Sequence, residues 1–177
     1  MSRTEDLLNK SIELFKKNNL NEALKILESI DVKDDFRKYF LIGTIFTALK
    51  KVDLAEKNLL LALKMNSNNP SILHNLGTLM ANKGDFETAK NYYLKAIKLN
   101  NNIESLSEIG KLYDEENNFE EALKYFEMVL KKDKNHKTTN FRIGNIFLKM
   151  DEYKKGLTHI KSATGFIRFS EEGIEII

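Results

Sequence analysis

The sequence predicts an all-α solenoid of about five helix-turn-helix units, followed by a short C-terminal tail. Two observations carry this. Apolar residues recur at three- and four-residue spacing, which gathers them on one helix face. A pair of small residues also marks every unit. The first helices carry Ser11, Gly43, Gly77, Gly110 and Gly144, and the second helices carry Ala23, Ala55, Ala89, Ala122 and Gly156. Successive members of both series lie 32, 34, 33 and 34 residues apart, and the two members of a unit are always 12 apart. A constant separation inside the unit, with length variation at the junctions, makes the helix pair the rigid building block.

Each unit can be justified in turn. The first, near 4–35, has Leu7, Leu14, Ala23, Leu27 and Ile30 at helical spacing, with Ser2 and Glu5 placed to form a capping box. The second, near 36–69, supplies Tyr39, Ile42, Gly43, Phe46, Val52, Ala55, Leu59 and Ala62. The third, near 70–102, is the clearest. Leu73, Leu76, Gly77 and Met80 form one stripe, and Phe86, Ala89, Tyr93, Ala96 and Ile97 form the other. Pro70 suits a first helical turn. Gly84 suits a position of positive φ past a helix end, and Asp85 suits an N-cap. Small side chains at Gly77 and Ala89 let the two helices approach closely. The fourth unit, near 103–136, has Leu106, Ile109, Gly110, Tyr113, Phe119, Ala122, Phe126 and Val129, with Asn118 and Glu121 as a second capping pair. The fifth, near 137–165, keeps Ile143, Gly144, Phe147, Tyr153, Ile160 and Ala163, while Asn140 and Gly156 depart from the pattern.

The helical period stops at Gly165. Residues 166–177 are rich in β-branched and aromatic side chains around a glycine, so strands are expected near 166–170 and 174–177. An isolated hairpin is marginal in water. Phe166, Ile167, Phe169, Ile174 and Ile176 are therefore expected to cap the last unit or to join copies of the chain, with a helical continuation as the alternative.

A period near 34 with these residues resembles the tetratricopeptide repeat (TPR) family, across roughly residues 4–170. Lys10 and Ser11 stand where that motif has Leu-Gly, and no unit has its late proline. The resemblance implies a right-handed α-α superhelix with an array over 1–165. It also implies that the first helices line a concave, peptide-binding face. By the motif's phase that face includes Leu8, Asn9, Ile12, Phe15, Arg37, Phe40, Leu41, Thr44, His74, Asn75, Thr78, Glu108, Lys111, Asp114, Arg142 and Asn145. The expected gradient runs from apolar (Phe40, Leu41) through amide-rich (Asn75) to acidic in the fourth unit. A partner segment with apolar residues at one end and basic residues nearer the other would match it. Leu8, Ile12 and Phe15 have a competing reading as core, and the fourth unit's glutamates as a merely solvated face. A chaperone-tail carboxylate clamp is not expected, because its positions read Phe40, Thr44, Asn75, Glu104 and Glu108. The asparagine ladder of some long TPR superhelices is likewise incomplete, reading Asn9, Leu41, Asn75, Glu108 and Arg142.

Composition narrows the rest. The net charge is +2, and lysines and acids are mixed along the chain, so no basic stripe for nucleic acid is expected. There is no cysteine, hence no disulfide framework or thiolate chemistry. No catalytic or cofactor motif occurs, and His74, His136 and His159 fall on different units, so no catalytic group, cofactor or metal site is expected. No apolar run of about 18 residues exists to span a membrane, and the N-terminus has no apolar segment of the signal-peptide kind. These features point to a cytoplasmic, non-catalytic binder of a protein or peptide. The alternatives are a structural protein that self-assembles through its tail or helix faces, and a module presenting substrates to a separate enzyme.

Overall fold

The computed structural model describes residues 3–31, 35–165, 167–170 and 173–176, with side chains described as far as Gly165. Ser2 and Phe166 lie outside the described residues, so the capping box expected at Ser2 and the tail role expected of Phe166 are not placed. The described chain forms two compact units, Met1–Asn100 and Asn101–Ile177.

In the first unit, α1 (Arg3–Lys16) pairs with α2 (Leu20–Ser29), α3 (Phe36–Ala48) with α4 (Val52–Met65), and α5 (Pro70–Asn82) with α6 (Phe86–Leu99). The first helices are neighbours, α1 lying against α3 and α3 against α5. In the second unit, α7 (Ile103–Glu115) pairs with α8 (Phe119–Lys132) and α9 (Lys137–Lys149) with α10 (Tyr153–Thr164). The strands β1 (Ile167–Ser170) and β2 (Gly173–Ile176) follow as an antiparallel pair, with Ile167 opposite Ile176 and Ser170 opposite Gly173.

All five turns inside the helix pairs are built alike. A residue of positive φ sits at Asn18, Lys50, Gly84, Asn117 and Asp151, with φ of 60°, 57°, 82°, 58° and 60°. The next residue's N–H reaches back to the carbonyl five positions earlier: Asn19 to Leu14 at 2.8 Å, Lys51 to Phe46 at 2.9 Å, Asp85 to Met80 at 3.0 Å, Asn118 to Tyr113 at 2.8 Å and Glu152 to Phe147 at 2.8 Å. These are Schellman closures, which satisfy carbonyls left over at a helix end. The turn's fixed hydrogen bonding explains the constant separation of 12 between the small residues in sequence. In the third and fourth pairs the following helix then starts on a side-chain cap. Asp85 accepts from Thr88 N–H at 3.1 Å and Asn118 from Glu121 N–H at 3.4 Å. The Glu121 carboxylate does not return to Asn118 as a full capping box would; it takes Lys124 at 3.0 Å.

The small residues sit where the helices of a pair cross. A Cβ added at Gly77 would lie 2.7 Å from the Tyr93 ring, and one at Gly110 would lie 2.8 Å from the Phe126 ring. Tyr93 and Phe126 are fully buried, so neither ring can give way. Ser11 fills the same slot in the first pair. It is buried, and its hydroxyl donates to the Leu7 carbonyl at 2.8 Å. Leu8, assigned by the motif's phase to the binding face, is instead core at 2 % exposure, packed with Ala23, Leu24, Leu27, Ile42 and Ile45. Its helix lies against both α2 and α3, so a residue facing either neighbour is covered. Phe15 also packs against this core, while Ile12 is half-buried.

Candidate functional site

The neighbouring first helices of unit one bring several of the expected site residues onto α1, α3 and α5. Asn9 is exposed, and Phe40, Leu41, Thr44, His74, Asn75 and Thr78 are half-buried. Leu41 packs on the core beneath. The polar groups are partly engaged with one another. Asn75 Nδ2 donates to Thr44 Oγ1 at 2.7 Å, and Thr44 passes its own proton to the Phe40 carbonyl at 2.8 Å. Thr78 donates to the His74 carbonyl at 3.2 Å and accepts from the Tyr93 hydroxyl at 3.1 Å. The His74 ring tilts against Tyr93 with centroids 5.5 Å apart. The Asn75–Thr44 bond ties α5 to α3 and orients the amide, which retains acceptor capacity at Oδ1. The face is therefore held in place by its own hydrogen bonds.

Ion pairs frame this unit. The Arg37 guanidinium meets Glu5 at 3.0 Å and Asp35 at 2.7 Å, joining α1 to the start of α3. That engages Glu5, the expected partner of Ser2. The Arg37 side-chain hydrogen bond holds the Asp35 carboxyl below its ordinary range, against a smaller opposing effect of burial.

The second unit presents a different surface. A cleft of about 510 Å³ is lined by Asp114, Thr138, Phe141, Arg142, Asn145, Leu148 and Lys149, all on α7 and α9. Asp114 is nearly buried. Lys149 Nζ reaches its Oδ1 at 2.9 Å and Arg142 approaches its Oδ2 at 3.7 Å. Asp114 was expected to offer negative charge to a basic partner. Two cations on one carboxylate leave this cleft net positive instead. Glu108 lies 3.9 Å from Lys111 on the same helix. Phe141, at 41 % exposure, gives the cleft an apolar wall.

Sequence reasoning passed over one polar pair here. Asn140, marked only as a departure from the pattern, is 3 % exposed. Its amide donates to the Lys134 and His136 carbonyls at 3.0 and 3.3 Å, and its Oδ1 lies 3.0 Å from His159 Nδ1. With the amide spent as donor, His159 must carry its proton on Nδ1. Burial pushes the His159 pKa down, opposed in part by Glu127. The signal was present in sequence as a polar residue in an apolar slot, with a histidine on the partner helix. Of the other histidines, His136 caps α9 and His74 belongs to the first unit's face.

Profiles described as tetratricopeptide repeat match residues 37–69, 70–103 and 105–138. The chain belongs to the tetratricopeptide-repeat family. Solved structures agree on the TPR fold over nearly the whole chain. PilF of Pseudomonas aeruginosa aligns with a TM-score of 0.85 at 18% identity, covering 92% of this chain and 75% of that one. MamA AMB-1 aligns with a TM-score of 0.72 at 21% identity, over 93% of this chain and 91% of that one. Cut9, in the APC/C hetero-tetramer with Hcn1, aligns with a TM-score of 0.79 at 17% identity, over 90% of this chain and 32% of that one. At these identities the likeness establishes the fold alone. No curated protein sequence matches the chain. TPR units are protein-interaction scaffolds in general, and the all-α repeat class read from the sequence is the class found. Among the described residues no helix is long and apolar enough to cross a membrane.

Proposed function

We propose that this TPR protein is a non-catalytic, cytoplasmic binder that holds an extended segment of a partner protein against its first helices. The observation that carries the reading is the face of α3 and α5. The residues there are neither core nor fully solvated: Phe40 and Leu41 offer half-buried apolar surface beside the pre-oriented amide of Asn75 and the hydroxyls of Thr44 and Thr78. Such a face supplies apolar anchoring together with groups that hydrogen-bond a peptide backbone. Fixing the amide before binding lowers the ordering cost of association.

The test is affinity capture from source-organism lysate with the native chain and with a Phe40→Glu, Asn75→Ala variant of unchanged helicity. A partner enriched by the native chain and lost with the variant supports the reading. Enrichment indifferent to both changes refutes it.

A second reading, self-association through the tail, is favoured by β1 and β2. Among the described residues they form a two-stranded sheet, in which each strand has a strand partner on one side only.

A further inference from the structure

We infer that the cleft between α7 and α9 receives the acidic, apolar segment 171–177 of a second copy of the chain. This deepens the self-association reading, on which it rests, and names the cleft as the tail's receiving site.

Asp114 is matched by both Arg142 and Lys149, so the cleft has one positive charge more than it balances internally. The cations also keep donors to spare. Lys149 spends one of its three N–H groups on Asp114. At 3.7 Å the Arg142 approach is an ion pair longer than a hydrogen bond, so the guanidinium fork stays available to another carboxylate. Their side chains are 33% and 48% exposed, which leaves both within reach of an incoming group. Phe141 and Leu148 line the same cleft, and an apolar side chain seated there would be drawn out of water. The fitting occupant is therefore a segment that interleaves carboxylates with aliphatic residues and carries no base.

The chain contains such a segment. Residues 171–177 read Glu-Glu-Gly-Ile-Glu-Ile-Ile, without a lysine or arginine. Other base-free stretches with acids lie in the helical array: 103–109 within α7, and 114–121 across the α7–α8 turn. There Asp114 and Glu121 are already paired and Phe119 packs against the core. Among the described residues the cleft is lined by α7 and α9. A tail donated by one copy to the cleft of the next is a heterologous contact, which lets association continue past a dimer.

The experiment is sedimentation velocity on the full chain across a wide concentration range, at low and high salt. The native chain is expected to exceed its single-copy mass of 20.5 kDa as concentration rises, and less so in high salt. Glu172→Lys with Glu175→Lys, which leaves Asp114 and its partners untouched, should weaken association about tenfold or more. A labelled synthetic peptide of residues 170–177 should bind the native chain, and should bind a Lys149→Ala variant about tenfold more weakly. A mass that stays at one copy throughout, association unaffected by the tail reversal, or a peptide that ignores Lys149 would each overturn the inference. Neither measurement uses a foreign partner or the Phe40–Asn75 face, so its failure is separable from that of the partner-binding reading.

Discussion

The first helices of the two units carry their exposed chemistry in different currencies. In unit one α3 and α5 are joined by neutral hydrogen bonds, Asn75 to Thr44, with Thr78 held by Tyr93. In unit two α7 and α9 are joined by a nearly buried carboxylate under two cations. The helix pairs beneath are close to interchangeable. A Cβ at Gly77 would meet Tyr93 as one at Gly110 would meet Phe126, at 2.7 and 2.8 Å. The repeat therefore fixes the crossing of each pair and leaves the surface between successive first helices free to vary. The partner binding proposed above would use that variable layer.

The comparison breaks if the two layers respond alike to deletion. Asp114→Ala should cost unit two about 2 kcal/mol. Removing a buried partner strands its counter-charges, but Arg142 and Lys149 can turn to water, which keeps the loss below that of a fully buried pair. Asn75→Ala should cost unit one about 1 kcal/mol, the value of an ordinary hydrogen bond. Added salt should screen the interaction in unit two and leave that in unit one unchanged. Amide hydrogen exchange in α3, α5, α7 and α9 reads both effects. Equal losses with equal salt response would remove the distinction.

The turns sharpen the comparison within one shared design. Each needs a left-handed residue, and the chain supplies Asn, Lys, Gly, Asn and Asp. A side chain in that region costs roughly 1–2 kcal/mol, with Asn and Asp best tolerated. Lys50→Gly should therefore stabilise unit one by about 1 kcal/mol, and Asn117→Gly should stabilise unit two by less. Urea midpoints at unchanged m-value check the pair. No gain at Lys50 would mean that its side chain holds the turn through contacts outweighing the backbone strain.

Those turns also show what sequence can carry. Gly84 announces its own conformation, because glycine is the residue that adopts positive φ freely. Lys50 announces the opposite, and its φ follows from the Lys51-to-Phe46 closure, which is a property of the pair. The small-residue series was legible because a Cβ at those crossings meets a ring or a branched side chain. Leu8 stood between face and core in the sequence because the motif's phase gives the direction of a side chain and not what lies there. Asp114 was legible as an acid but not as a neutralised one: Lys149 is 35 residues away on another helix, and only the packing of α9 against α7 brings it to 2.9 Å.

The smallest effect belongs to His159, which has no histidine counterpart in unit one's pairs. Its ring donates from Nδ1 to Asn140 Oδ1, and burial holds its pKa below the ordinary value of about 6.5. The folded unit then binds its proton less readily than the unfolded chain. Stability from this group is complete above the unfolded pKa and is lost as pH falls toward the folded one. Protonation would also put a second charge-bearing N–H into a part-buried site between Phe147 and Asn140, with Glu127 the nearby acid that offsets part of the cost. Moving from about pH 7.5 to about pH 5.5 should lower the thermal midpoint of unit two more in the native chain than in His159→Gln, which keeps a neutral donor for Asn140. Identical shifts in the two proteins would assign the acid response of this unit to its carboxylates and leave the Asn140–His159 pair a packing element without a role in pH.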